Sequence, residues 1–549
     1  MSIQRADPTP SDEKDRLARE QDRHELAHVA SRGMVFKFGS LFASKVFGLV
    51  FQILVLNVLP SLAAGLYSAA YNIALGISAF ASLGIQSALM RYVPMHIARG
   101  EPPKAKEEIW TSAVILFAFS LLVLAAMLLL SETVISFYAP EYHDQIRPLF
   151  LLAAVLAFAM LNFNLWSAIL DSLKKFELNA LIQVVVQAVK VALVVAAVLL
   201  GVASAGVFLQ ATVAAFVVAT LILTIPIWQY LCSIPGKLRF NPSLILKNIA
   251  FGLPIYLSST ADVLTTAMSA PILLYFYPLQ VAGYAAAVMI VQNIAPVVFS
   301  PIGSVAQPLM VERHERKSDM FGSLVRESSR WTAYLGIPLL FVFVLYASAF
   351  LGVLTPAYKS SYILIWLFAP MSIASLLSSP SRNALFARGN LKVLLGASLS
   401  MLALNLVLSW YFIQQWGAVG AAMATSISVF LGESAIVLAA RFTFGAKLHP
   451  DIWRALGAGF VMLAVGFAPL PVLNASLSLW AESGLIPMAI AAIISAVVYG
   501  LSVLALGGIR KNDWELGLKL AHRNGLEPLL RRLPFVWPLL VRLSGRQTG

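Results

Sequence analysis

Apolar runs of about 20 residues, each long enough to cross a hydrocarbon core of roughly 30 Å as a helix, recur from near Met34 to Gly508. In lipid every backbone N–H and C=O must be satisfied within the chain, so such runs can only be helices. The chain has 549 residues, 59% of them hydrophobic and 12% charged, with a mean hydropathy of +0.81. That balance excludes a water-soluble core of this length. Breaks at Pro, Gly and charge divide the runs into about fourteen spans, roughly 34–59, 66–90, 109–130, 148–170, 181–201, 206–230, 249–277, 283–310, 331–354, 363–386, 393–414, 418–440, 455–474 and 485–508. The expected fold class is an all-α polytopic membrane protein of about 14 transmembrane helices.

The formal net charge of +13 invites a nucleic-acid reading, and the placement of the 39 Lys and Arg decides against it. With the N-terminus inside, 34 of the 39 fall in inside segments, counting Lys37 at the inner end of the first span, two (Arg147, Lys359) outside, and three (Lys45, Lys190, Arg382) deeper within spans. This is the positive-inside pattern, and it puts both termini in the cytoplasm without any nucleic-acid partner. The single Cys232 excludes a disulfide framework and reads as an inert interfacial thiol. The seven His lie in loops or tails, so no metal site is expected inside the bundle. The first 30 residues lack an apolar h-region and read as a cytosolic tail, with no signal peptide.

The stretch PSLAAGLYSAA, Pro60 to Ala70, returns as PLQVAGYAAA, Pro278 to Ala287. Each copy closes a span running outward and opens the next. Gly65 and Tyr67 pair with Gly283 and Tyr284, offset by the inserted Leu66. An even number of spans separates the copies, so the halves point the same way, as in a parallel repeat about an axis along the membrane normal. A Pro, small-residue, Tyr turn is ordinary interfacial chemistry in one copy; its recurrence at the same topological position favours the repeat. The expected organisation is a tail over 1–33, an N-lobe of six spans over 34–230, a C-lobe of six over 249–440, two further spans over 455–508, and a basic cytoplasmic tail over 509–549.

The stretch PSLAAGLYSAAYNIALGISAFASLGIQSALMRYV resembles the opening of the polysaccharide flippases of the multidrug/oligosaccharidyl-lipid/polysaccharide exporter superfamily. The matching features are Gly65-Leu66-Tyr67, Leu83-Gly84 midway along the second span, and Arg91-Tyr92 at its end. The likeness covers the twelve repeat spans in layout and is specific in sequence over the first two and the repeat copy. It implies a fourteen-helix, non-enzymatic exporter that moves lipid-linked saccharides from the inner to the outer leaflet of a bacterial cytoplasmic membrane by alternating access. Its implied partners are membrane lipids, a polysaccharide polymerase and glycosyltransferases. It implies no cofactor beyond Na+ or H+ coupling.

A charge near the bilayer centre is by default a cavity or pathway residue. Lys190 lies about ten residues into the fifth span, some 15 Å deep at about 1.5 Å per residue. Gln183, Gln187 and Lys190 fall at i, i+4 and i+7 and form one polar stripe. A cavity face is the favoured reading, with polar glue between packed helices as the other. In the first span Lys45, Gly48 and Gln52 repeat the pattern, although Lys45 is shallow enough to snorkel. Two ammonium groups lining one lobe suit a passing diphosphate. The lipid II flippases of the superfamily have cationic residues in their central cavity, which agrees by placement and not by motif.

In the C-lobe, Asp262 is flanked by Ser258, Thr265 and Thr266, as a cation ligand, a proton acceptor, or a structural acid beside the Pro254 kink. By the same resemblance Asp262, Asn405 and Thr425, with the Ala421 carbonyl, correspond to a cation site of the lipid II flippases. Ser409 stands where that site has a second carboxylate, which weakens a sodium reading and leaves proton coupling or none. Glu433 either pairs with Arg382 or takes up protons, and Arg382 itself is expected to snorkel. Asn162, Trp166, Tyr71, Ser78 and Ser82 suit sugar faces but are equally ordinary packing groups, and receive no role beyond possible lining. The tail segment Leu529 to Leu543 alternates Arg with Trp and Leu and is expected to lie on the anionic inner leaflet.

Lysines in the cavity argue against the alternative of a multidrug exporter, whose cationic cargo needs acids and aromatics. A membrane glycosyltransferase needs catalytic groups on sizeable loops, and the longest external loop, Ser131 to Arg147, shows no such motif. A scaffold has no reason to bury charge.

Overall fold

The computed structural model describes residues 39–40, 43–138, 140–292, 320–445, 448–470 and 475–508. The tails expected over 1–33 and 509–549, with the interfacial segment Leu529 to Leu543, lie outside them, as does the stretch 293–310 of the eighth expected span. The chain is mostly helical. In order come α1 Ala43–Val58, α2 Ser61–Phe80, α3 Ile85–Ala98, α4 Pro102–Leu129, α5 Ser131–Ile135, α6 His143–Ser172, α7 Phe176–Leu199, α8 Ala205–Ser233, α9 Ser243–Ala267 and α10 Ser269–Phe276. There follow α11 Pro278–Gln292, α12 Met320–Leu345, α13 Ala347–Leu354, α14 Tyr362–Ala387, α15 Leu391–Phe444, α16 Asp451–Phe467, α17 Leu477–Ala481 and α18 Leu485–Ala505. Among the described residues ten helices are long and apolar enough to cross a membrane.

One of the ten is a hairpin. Gly417 interrupts α15 with φ 56° and ψ −129°, the left-handed region where a Cβ is penalised. Beyond it the chain runs back on itself, so that Asn405 bonds Thr425 and Gly432 packs on Met401. Tyr277 and Gln280 clasp this bend: Tyr277 Oη donates to the Gln414 carbonyl (2.9 Å), and the Ala418 N–H donates to Gln280 Oε1 (2.8 Å).

Contacts group the described residues into two units. One comprises those within Met1–Asn293 with Asn390–Gly432, and the other those within Ile294–Gly389 with Glu433–Gly549. In the first, the two repeat copies touch. Gly65 is pressed against Pro278, Val281 and Ala282, where a Cβ would stand 3.1 Å from the Val281 side chain, and Ser61 Oγ donates to the Leu279 carbonyl (3.5 Å). Ser61 and Leu279 follow Pro60 and Pro278, so a residue meets its own repeat counterpart, as it does beside a two-fold axis. The repeats also share an internal bond. Tyr67 Oη lies 3.3 Å from Thr212 Oγ1, and Tyr284 in the second copy bonds Ser269 and Thr425.

The second expected span breaks at Leu83 and Gly84, both left-handed (φ 52° and 72°). Gly84 lies back to back with Gly252 of α9: a Cβ on Gly84 would stand 2.8 Å from the Gly252 carbonyl carbon. Two carbonyls at the end of α2 accept from α9, Phe80 from Tyr256 Oη and Ala79 from Thr260 Oγ1 (3.2 Å).

In the second unit α12, α14, α16 and α18 share one core around Ile337, Tyr346, Leu376, Met462 and Ala491. Glycines at 459 and 466 let α16 close on Phe341 and Leu345 of α12. At one end Arg330, Asp451 and His449, all buried, form a polar knot in which Arg330 Nη2 and Tyr334 Oη donate to the Gly508 carbonyl (3.1 and 2.8 Å). These bonds satisfy a carbonyl left open beyond α18.

Candidate functional site: a cationic cavity

The polar stripe of α1 meets that of α7 across a cavity of about 260 Å³, wholly within the first unit. Lys45, Gly48 and Gln52 line it from α1, and Gln187 and Lys190 from α7. Gly48 keeps that wall low, and a Cβ there would stand 4.0 Å from Gln187 Oε1. Lys190 is 4% exposed, and its ammonium sits 4.7 Å from the centre of the Phe51 ring, whose face partly replaces water around the charge. Lys45 is half-buried. Neither lysine forms an ion pair among the described residues. Three acceptors around the cavity, Ser44 Oγ, Gln52 Oε1 and Gln187 Oε1, are buried without a hydrogen-bond partner. The two unneutralised cations suit an anion, and the open oxygens beside them suit hydroxyl donors.

The third member of the α7 stripe points elsewhere. Gln183 Nε2 donates to Ser167 Oγ (3.4 Å), which in turn donates to Asn179 Oδ1 (2.9 Å), so Gln183 works between α6 and α7. Tyr71, a possible lining residue, does line the cavity, and so do Tyr67 and Tyr284, which were read only as members of the repeated turn. Tyr67 stacks on Tyr71 at 6.3 Å and tilts against Phe51 at 6.0 Å. The sequence signal was available: Tyr67 and Tyr284 are the repeat-paired tyrosines, and Tyr71 follows Tyr67 by one helical turn.

The residues assigned to ion coupling fall in three places. Asn405 and Thr425 meet, Asn405 Nδ2 donating to Thr425 Oγ1 at 3.3 Å, and Thr425 donates to the Ala421 carbonyl (3.0 Å) and touches Ser269 Oγ (3.0 Å). Asn405 Oδ1 and Ser409 Oγ, one turn apart, are buried without partners. The oxygens gathered here are neutral, and the Ala421 carbonyl is already used, so this cluster fits a sodium ion poorly. Asp262 is half-buried on α9, one turn beyond Ser258, whose hydroxyl bonds Ser398 (2.9 Å). Glu433 lies in the second unit, where Ser378 Oγ donates to Oε2 (2.5 Å) and Arg382 Nη2 to Oε1 (2.7 Å). Arg382 is therefore paired with Glu433 where snorkelling was expected. Asn162 donates to Ser120 Oγ (3.1 Å), a packing contact between α4 and α6.

The model of the polysaccharide biosynthesis protein family matches residues 31–314, just over half of the chain and all of the cavity wall described above. The chain belongs to this family. No curated protein matches it in sequence. Among solved structures, this polysaccharide biosynthesis family protein is similar to the lipid II flippase MurJ in its inward closed conformation, at 14% identity and a TM-score of 0.68, covering 86% of this chain and 99% of that one. It is also similar to an inward-facing multidrug resistance MATE family transporter of the MOP superfamily (15% identity, TM-score 0.58, 77% and 99% covered). A third is a mutant of the Vibrio cholerae MATE transporter VcmN (18%, TM-score 0.57, 77% and 98%). At these identities the likeness establishes the fold, that of a multi-pass membrane transporter.

Proposed function

We propose that the protein carries a polyprenyl-diphosphate-linked oligosaccharide from the inner to the outer leaflet of a bacterial cytoplasmic membrane by alternating access. In this reading fourteen spans, with both termini inside, form two six-helix repeats over 34–230 and 249–440. The observation that carries it is the pair Lys45 and Lys190, facing one cavity without a carboxylate to neutralise them among the described residues. At about 260 Å³ the cavity lies just under the range of roughly 300–1,000 Å³ typical of drug-sized pockets. It suits a diphosphate and its adjoining sugar, with the rest of the saccharide and the lipid tail outside. Gln52, Gln187 and the three tyrosines supply hydrogen bonds and apolar faces for the sugar.

Moving one negative charge outward gains about 2.3 kcal/mol per 100 mV of inside-negative potential, so voltage alone can drive such a cargo. Ion coupling through Asp262, Asn405, Thr425 and Glu433 would add to this drive and is not required by it. The deciding experiment measures the leaflet distribution of polyprenyl-linked oligosaccharide in cells depleted of the protein and resupplied with wild type, Lys190→Ala or Lys45→Ala. Inner-leaflet accumulation relieved by wild type and not by Lys190→Ala is expected. No accumulation, with altered sensitivity to cationic drugs, would establish a multidrug exporter instead.

A further inference from the structure

Three consecutive charged residues near the start of α4 hold the segment that joins α8 to α9. Lys106 Nζ donates to the carbonyls of Ile234 (2.9 Å) and Gly236 (2.8 Å). Asn241 Nδ2 donates to Glu107 Oε1 (2.7 Å), and its backbone N–H to Thr111 Oγ1 (3.1 Å). Asn248, on the first turns of α9, places Nδ2 2.5 Å from Glu108 Oε1 and 3.5 Å from Ser112 Oγ. The connector between the first six expected spans and the seventh is thus strapped down.

Glu108 is the unusual member. It is 0% exposed, Asn248 is 2% exposed, and Glu108 Oε2 and Asn248 Oδ1 are both buried without a hydrogen-bond partner. The charged groups acting on Glu108 are Lys247 of α9, His96 of α3 and its own neighbour Glu107. Each is engaged elsewhere: Lys247 lies over the Tyr92 ring (3.9 Å), His96 bonds Glu101 (3.3 Å), and Glu107 holds Asn241. Lys106 is spent on its two carbonyls, the connector's Lys237 and Arg239 are not buried, and α6 ends near Asp171, Lys174 and Lys175. An ionised carboxylate with one amide partner and a bare buried oxygen is costly, whereas a carboxylic acid gains an O–H donor. With the Asn248 amide turned over, Glu108 donates to its oxygen.

We propose that Glu108 is a proton-binding site: the strap joining α4, the connector and α9 is shut with the Glu108 carboxyl protonated, and ionisation releases it. The site is separate from the cationic cavity and rests on the proposed function only in that its protons come from the cytoplasm. The strap is tested on the purified full-length protein in lipid nanodiscs, by hydrogen exchange of residues 234–250 at several pH values, corrected for the intrinsic pH dependence of exchange. Wild-type protection is expected to fall by about tenfold per pH unit once the carboxyl titrates. Glu108→Gln, which keeps a donor, holds its protection across the range, and Glu108→Asp restores the slope. A flat wild-type profile, or a slope unchanged in Glu108→Gln, overturns the proposal. If Glu108→Gln does not fold, Glu108→Met decides, with loss of the slope expected and retention overturning it. None of these readouts depends on transport, so failure here leaves the proposed function standing, and the reverse holds.

Discussion

At the scale of single residues, the buried charges differ in what surrounds them, and so in what their removal should do. Lys190 has an aromatic face and open acceptors but no counter-ion among the described residues, so Lys190→Gln should cost little stability while abolishing accelerated flipping in reconstituted liposomes. Lys190→Arg should retain part of the activity, since the charge survives and the shape does not. Glu433 is the opposite case. Removing Arg382 (27% exposed against 9% for Glu433) takes this cation from a buried carboxylate that also accepts from Ser378 Oγ. Arg382→Gln should therefore destabilise by about 2 kcal/mol, a figure reduced for the partial exposure of the arginine, and Arg382→Met with Glu433→Leu should recover most of it. Thermal unfolding of the two variants and the wild type in one detergent checks this. An unchanged midpoint for Arg382→Gln would show that the pair contributes nothing.

At the scale of helices, close approach is set by where side chains are missing. Gly84 and Gly252 meet backbone to backbone at the break between α2 and α3, and a Cβ on Gly252 would run into the Gly84 carbonyl. Gly252→Ala should cost 2 kcal/mol or more, on the order of an overpacked core, and should loosen the Tyr256 and Thr260 bonds to α2. Gly396, with nothing within 4 Å of a new Cβ, gives the control: Gly396→Ala should be neutral or stabilise by about 0.5–1 kcal/mol through helix propensity. Unfolding midpoints of the pair, measured together, separate packing from propensity. The repeat is legible at this scale because a Pro-Ala-Gly-Tyr turn is local chemistry. That Ser61 touches Leu279 is not, since it depends on where the folded chain places the axis.

At the scale of the whole molecule, the proposed cargo is an anion moving with the field. Collapsing an inside-negative potential in proteoliposomes should slow translocation severalfold, whereas replacing sodium by potassium on both sides should leave the rate unchanged, since the Asn405–Thr425 cluster offers neutral oxygens. A rate indifferent to voltage and dependent on sodium would overturn that account. The contacts group Asn390–Gly432 with the first half of the chain, and α16 and α18 with α12 and α14. Sequence repeats gave no hint of this grouping, because it arises from contacts between segments distant in the chain, hydrogen bonds such as Ser258–Ser398 and Tyr277–Gln414 in one unit and glycine-mediated helix packing in the other.

What the sequence determined by itself is what depends on short-range physics: apolar length, the distribution of Lys and Arg, the recurring turn, and the spacing that puts Lys45 with Gln52 and Lys190 with Gln187. These follow from helical geometry and from the cost of exposing backbone to lipid. Only the tertiary structure decided which stripes face each other. It turned Gln183 toward Ser167, brought Tyr67 and Tyr284 into the cavity, gave Glu433 its arginine, and enclosed Glu108 under the connector. Each of these outcomes depends on the rotation and register of helices that are far apart in sequence, and those are fixed by packing over long distances along the chain.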